Sequence, residues 1–273
     1  MADLNYFQTR PKVPPIDADL YLKRIGVQKD QPSLAFLKKI HRAHLLQIPF
    51  ENLDIHYHRK IVLDINSIYD KIIRHRRGGF CYELNGLLYH LLARLGFRVF
   101  LGSARVFQAV SISPEFDHMM VFVSLEEGDF LCDVGFGELF TEPKRLVTGE
   151  VQLDYTRYFK FEHNVDGEWL LRKSNDNSQY ESIYVFTLKP RQMIEFLPRC
   201  NFHQESDQSH FTKQKLITQL FSEGRITLTD RKIKRSLYGE QKEREILNED
   251  EFLAQLQEVF KLNVRALLRQ KFN

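Results

Sequence analysis

From residue 84 onward leucines recur at three- and four-residue spacing, Leu84, Leu87, Leu88, Leu91, Leu92 and Leu95, and Gly96 closes the run. This period predicts an amphipathic helix opening at Arg77-Gly78-Gly79-Phe80-Cys81, which puts Cys81 in its first turn. Upstream the same period predicts further helices. Asp17 or Asp19 caps a short one through Leu20, Tyr21 and Ile25, ended by Gly26. Pro32-Ser33 opens a longer one with Leu34, Leu37, Ile40, His44, Leu45 and Ile48 on one face, broken at Pro49. His44 on that face reads as a core residue. Asp64 caps a third helix, 65–73, that delivers the chain into the Cys81 loop. The acid-bearing turn Pro49-Phe50-Glu51-Asn52-Leu53-Asp54 offers a carboxylate to Arg76 or Arg77.

After Gly96 the pattern changes. Residues 98–101, 104–110, 119–125 and 130–134 are β-branched and aromatic runs separated by turn formers, which predicts antiparallel sheet. Strands at 155–161 and 168–172 flank the turn Val165-Asp166-Gly167, and another spans 183–188 before Pro190. So many short strands in succession predict a barrel or a strongly curled sheet. Beyond 190 the periods mix: 191–196 reads as a short helix, 211–220 as strand or helix, and 226–228 and 233–237 as short strands. Asn248 with Glu251 opens a last helix, with Phe252, Leu256, Val259 and Phe260 on its inner face.

Composition narrows the picture further. A chain of 273 residues, 43% hydrophobic and 27% charged, can bury a large core. The net charge of +3 is spread among acids, so no nucleic-acid partner is implied. No stretch approaches a membrane span, and Met1 to Phe7 lacks the apolar core of a signal peptide; the expectation is a cytoplasmic protein without a membrane partner. Cys81, Cys132 and Cys200 are widely spaced and without CxxC pairing, so neither a disulfide framework nor a metal site is suggested.

Cys81 is the residue with chemistry to offer. Unpaired N–H groups at a helix start, the positive end of the helix dipole and nearby arginines all favour a thiolate. A thiol nucleophile needs an imidazole to take its proton, and that imidazole needs a third group to orient it. His118 at the mouth of one strand and Asp133 at the end of the next supply both. A hairpin centred on Leu125-Glu126 sets His118 opposite Asp133, whereas the more turn-like Glu127-Gly128 leaves them four residues out of step. A bulge or asymmetric loop in 124–129 is therefore expected to restore the pairing.

The motifs Arg77-Gly78-Gly79-Phe80-Cys81-Tyr82-Glu83-Leu84-Asn85, Asp117-His118-Met119, Asp133-Val134-Gly135-Phe136-Gly137 and Pro49-Phe50-Glu51-Asn52-Leu53 resemble those of the arylamine N-acetyltransferase family. The likeness is tight over the first half of the chain and looser beyond about residue 150. With no long insertion evident between second and third domains, it points to a prokaryotic-type member with an open CoA cleft. The resemblance implies an α+β fold with a papain-like Cys-His-Asp arrangement: a helical bundle at 1–95 carrying the nucleophile, an antiparallel β-barrel at 96–195 and an α/β lid at 196–273. It implies ping-pong transfer from acetyl-CoA to arylamines, arylhydroxylamines and arylhydrazines. Cys81 is then the acetylated nucleophile, His118 its base and Asp133 the orienting acid. Gly135, Gly137 and Phe211 fall at the CoA site, Phe50 and Phe136 at the acceptor pocket, and Glu51 with Arg77 forms a supporting ion pair. The partners implied are small aromatic amines and hydrazines and CoA, with the chain a monomer or homodimer. The same triad order also serves thiol hydrolases and transglutaminase-like enzymes.

Overall fold

A computed structural model describes residues 14, 16–237 and 240–263. The Met1 to Phe7 stretch discussed above lies outside them. Asp17, not Asp19, caps α1 (Ala18–Ile25), its carboxylate accepting from Leu20 N–H, and left-handed Gly26 ends the helix. Ser33 caps α2 (Leu34–Gln47). The turn expected at 49–54 contains a two-residue strand, β1 (Phe50–Glu51), before the single turn α3 (Leu53–His56). Asp64 caps α4 (Ile65–Tyr69), which widens into a π-helical turn over Asp70–Arg74 instead of running on as α-helix. After Gly78-Gly79 comes α5 (Cys81–Arg94), with Cys81 its first residue.

The barrel sheet has eight strands in the order β5-β4-β3-β2-β9-β8-β7-β6. Its strands are β2 (Arg98–Val106), β3 (His118–Leu125), β4 (Gly128–Cys132), β5 (Lys144–Arg145), β6 (Gln152–Asp154), β7 (Arg157–His163), β8 (Trp169–Ser174) and β9 (Glu181–Phe186). The two strands expected at 98–101 and 104–110 are one, because Gly102 continues the ladder where a side chain would not fit. A Cβ there would lie 2.2 Å from the Phe122 ring. Side chains close the seam between the edge strands β5 and β6. The Gln152 amide accepts from Arg145 N–H and donates to Arg145 C=O, doing the work of a ladder pair.

The last third holds a 3₁₀ turn (Met193–Phe196) running directly into α6 (Leu197–Glu205), a 3₁₀ turn (His210–Thr212), and β10 (Leu216–Phe221), β11 (Gly224–Thr229), β12 (Lys232–Leu237) and β13 (Glu240–Glu245). It ends in α7 (Glu249–Glu258), capped by Asn248. The 211–220 segment is thus part 3₁₀ turn and part strand. The five-stranded sheet β1-β10-β11-β12-β13 draws its first strand from the N-terminal region. Phe50 lies opposite Thr218 and bridges Gly79, tying the Cys81 loop to this sheet.

Among the described residues three apolar clusters hold the fold together. One joins α1, α2, α4 and α5 to the outer face of β2–β4 through Val99, Leu101, Met119, Val121 and Val123. A second fills the barrel with Phe122, Phe140, Phe159, Phe161 and Tyr184, among others. The third packs α7 on β10–β12. Helix α5 is therefore buried against β3, which brings the helix that starts at Cys81 against the strand that starts at His118.

Candidate active site

Helix α5 starts where it does for local reasons. Gly78 and Gly79 let the chain pass close to Pro49 and Glu83: a Cβ on Gly78 would meet the Pro49 carbonyl oxygen at 2.1 Å, and one on Gly79 the Glu83 carboxylate at 2.8 Å. Glu83 reaches back to accept the Phe80 N–H at 3.1 Å, capping the helix. Lys71 holds Glu83 at 2.8 Å and Asp54 at 2.7 Å, and Arg77 holds Glu51 at 2.7 Å and Asp54 at 2.8 Å. The expected Glu51–Arg77 pair is present, within a larger network. Two buried cations here serve three carboxylates, with Arg59 3.9 Å from Asp54 at the edge. Glu83 is the carboxylate left short: burial raises it to about 7 against the pull of Lys71. Burial works to raise Asp54, but Lys71 and Arg77 together outweigh it and hold the carboxylate well below its usual range.

Cys81 is 4% exposed and His118 also 4%. Burial pushes the thiol well above its usual range; a hydrogen bond from Met119 N–H pulls the other way, while Asp117 and Asp133 add to the rise. Burial thus works against the thiolate that the helix terminus favours, which makes a neighbouring base the natural acceptor of its proton. His118 is the first residue of β3. Its Nε2 stands 2.7 Å from Asp133 Oδ2, and Nδ1 is the nitrogen left over.

The hairpin register differs from expectation. Pairing is regular from Val121↔Cys132 to Leu125↔Gly128, so the turn is the two-residue Glu126-Glu127 and 124–129 contains no bulge. Continued one step, that ladder sets Asp133 opposite Met120, two residues from His118. The carboxylate meets the imidazole on the diagonal, the long reach of the ring to its far nitrogen making up for the short aspartate.

Asp133 is 1% exposed and fully hydrogen-bonded. Oδ2 also receives the Tyr184 hydroxyl at 3.3 Å, and Oδ1 receives Asn85 Nδ2 at 2.9 Å and Gly135 N–H at 3.0 Å. Burial works to raise its pKa, but His118, Asn85 and Gly135 together outweigh it and keep the carboxylate ionised. Asn85, one helical turn after Cys81, ties three segments together. It donates to Met119 C=O at 2.6 Å and to Asp133, and accepts from Val134 N–H at 2.9 Å. Asn85 and Tyr184 are site residues that the sequence reading quoted without a role or passed over. A polar residue at position i+4 from a nucleophile, inside a leucine run, was the available signal for Asn85.

Cys81 and His118 open on one cleft of about 610 Å³. Its walls include Phe50, Phe136, Phe211, Gly135, Gly137 and Thr218, so every residue read from the sequence as donor or acceptor contact reaches it. Phe136 stands edge-on to the His118 ring at 5.1 Å, and Tyr184 stacks on it at 5.7 Å. Gly135 leaves room for the nucleophile's own backbone, since a Cβ there would lie 2.7 Å from Cys81 Cα. Gly137 adopts a left-handed φ of +88°, and Arg225 donates to its carbonyl oxygen. The space, the apolar walls and the open glycine turn suit an elongated acyl donor and a flat aromatic acceptor. Among the described residues no group of three or more His, Cys, Asp or Glu is placed to hold a metal ion. No helix among them is long and apolar enough to cross a membrane.

Comparison with known proteins points to one family. The N-acetyltransferase family model matches residues 33–269. Arylamine N-acetyltransferase 1 of Bos taurus is 29% identical over 94% of this chain and 97% of its own length, and the Escherichia coli K12 arylamine N-acetyltransferase is 34% identical over 71% and 69%. The arylamine N-acetyltransferase of Mycobacterium abscessus superposes with a TM-score of 0.83 at 31% identity, covering 94% of each chain. That of Mycobacterium marinum, solved in complex with CoA, gives 0.85 at 28%, covering 92% of this chain and 94% of its own. The fold is α+β with a nearly closed eight-stranded barrel sheet, as in these enzymes, and the chain is an acetyltransferase belonging to the arylamine N-acetyltransferase family.

Proposed function

We propose that this chain moves an acetyl group from acetyl-CoA to the nitrogen of arylamines, arylhydroxylamines and arylhydrazines, in two half-reactions through acetylated Cys81. The observation that carries the reading is the 2.7 Å His118–Asp133 contact, with His118 lining the same cleft as Cys81, the first residue of α5. Cys81 gives its proton to His118 Nδ1 as its sulfur attacks the acetyl carbonyl carbon of the donor thioester. The imidazolium, stabilised by Asp133, returns a proton to the departing CoA sulfur. In the second half the amine nitrogen attacks acetyl-Cys81, its lost proton passes to His118, and the C–S bond breaks to regenerate the thiol. Asp133 stays ionised throughout and holds the ring in the tautomer with hydrogen on Nε2.

Gly135, Gly137 and Phe211 fit the donor's side of the cleft, and Phe50 and Phe136 the aromatic acceptor. The M. marinum relative's complex with CoA supports a CoA thioester as the donor. A segmentation at 1–95, 96–195 and 196–273 and residence in the cytoplasm complete the reading. The test is release of p-nitrophenol from p-nitrophenyl acetate with and without an aromatic amine. Amine-dependent acceleration that disappears in Cys81→Ala supports acyl transfer; turnover indifferent to amine identifies a hydrolase instead.

A further inference from the structure

Asp133 lies one residue past the end of the β3–β4 ladder, so its backbone N–H has no strand partner. A buried N–H in that position must find another acceptor. It donates to Nε2 of His41, at 3.2 Å, from a helix 92 residues away in sequence. The other nitrogen, Nδ1, stands 3.0 Å from the Thr141 carbonyl oxygen. A carbonyl only accepts and an N–H only donates, so the ring has one workable form: hydrogen on Nδ1, none on Nε2, no charge. His41 is fully buried and lies nearly parallel to Phe140 at 5.7 Å and 23°, which restricts ring rotation.

Thr141 is itself anchored. Asp154 accepts from Thr141 N–H at 2.9 Å, from its hydroxyl at 2.7 Å, from Glu142 N–H at 3.0 Å and from Lys144 at 2.5 Å. A continuous buried relay therefore runs from the barrel seam to the site: Lys144, Asp154, Thr141, His41, Asp133. Asn85 and Tyr184 steer the Asp133 carboxylate, whereas His41 fixes its backbone from the α2 side. We infer that His41 is a positioning residue for the Cys81–His118–Asp133 triad, setting through the Asp133 backbone the angle at which that carboxylate meets His118. The inference rests on the triad reading above. Burial lowers the His41 pKa to about 4, in keeping with a ring that must stay uncharged beside Asp133, Asp154 and Lys144.

The test is the rate of Cys81 alkylation by iodoacetamide against pH, followed by mass of the Cys81 peptide, which needs neither acetyl donor nor amine. His41→Phe keeps a flat ring on Phe140 and removes both hydrogen bonds; His41→Gln keeps an acceptor near the Nε2 position. His41→Phe is expected to react about tenfold more slowly at pH 7, within the ~100-fold that a 1 Å misplacement costs, with its rising limb moved to higher pH. His41→Gln should recover part of the loss. Melting temperatures measured alongside separate this from a merely structural residue, which would lower stability and leave the profile in place. A wild-type profile in folded His41→Phe, against slow alkylation in His118→Asn, overturns the inference alone; a wild-type rate in His118→Asn sinks the triad and the inference with it. Should His41→Phe not fold, imidazole ¹⁵N spectra of the unmodified protein decide. A resonance that His41→Gln removes must report an Nδ1–H tautomer, uncharged down to pH 5, and any other state overturns the inference.

Discussion

At the scale of single residues the account turns on how Asp133 is held. Every hydrogen-bonding direction around its carboxylate is taken by a donor: His118 and Tyr184 on one oxygen, Asn85 and Gly135 N–H on the other. Asp133→Asn must aim an amide N–H at one of those donors whichever way it flips, and the simplest relief is the other His118 tautomer. The variant should fold, bind acetyl donor with little change in KM and lose about 10⁴-fold in kcat, as tautomer reversal does in serine proteases. Single-turnover acetylation of Cys81 measures this, and a loss under tenfold would show that Asp133 does not orient His118. Much of this shell was written in the sequence. Cys81 was placed by the Gly-Gly pair and the leucine period that follows it, and both physical causes are present in the fold. His118 and Asp133 were found through what a thiol needs, which names residue types but not geometry. Asn85 went without a role because periodicity reads apolar positions, and a buried amide is silent to it.

At the scale of elements, errors collected where a ladder or helix is set by something distant in sequence. The bulge in 124–129 was inferred from the assumption that His118 and Asp133 sit directly opposite, whereas they meet diagonally across a regular hairpin. Strand β13, Glu-Gln-Lys-Glu-Arg-Glu, is exposed throughout and carries no alternation to read; it exists because β12 offers it an edge. The short helix expected at 191–196 is a 3₁₀ turn that runs on as α6, with Pro198 in the first turn, where a helix tolerates it. Gly102 gives an element-scale prediction. Gly102→Ala drives a methyl into the Phe122 ring and should cost about 1–3 kcal/mol, as overpacking does. If the ring is the obstacle, Phe122→Leu combined with Gly102→Ala should be less destabilising than the two single costs summed. Urea midpoints of the three variants check this, and strict additivity would mean the methyl is accommodated some other way.

At the scale of the whole molecule, buried histidines set the response to acid. Burial lowers His41 to about 4, His44 to about 3 and His90 to about 4, whereas in the unfolded chain each titrates near 6.5. The unfolded state therefore binds more protons between pH 6.5 and 4, and stability must fall as pH drops through that window. For His41 alone the difference amounts to roughly 3 kcal/mol by the acid end. Glu83 works in the opposite sense: raised to about 7, it contributes stability that is present below pH 4.5 and lost as pH rises toward 7. One carboxylate against three imidazoles leaves the acid-labile sign in control. Urea midpoints should decline steadily from pH 6.5 to 4.5, with a steeper decline in Glu83→Gln; a midpoint flat over that range would contradict neutral, buried histidines.

These scales meet in one claim, that the sulfur of residue 81 carries the acyl group between donor and amine. Acetyl-CoA alone, mixed with the protein and followed by peptide mapping on a mass spectrometer, tests it most directly. The account predicts a single acetyl group on the Cys81 peptide, none on Cys132 or Cys200, and its release as the N-acetyl product when aniline is added. An unmodified Cys81 in protein that nonetheless acetylates aniline would contradict it, because the acetyl group would then pass to the amine without touching the cysteine.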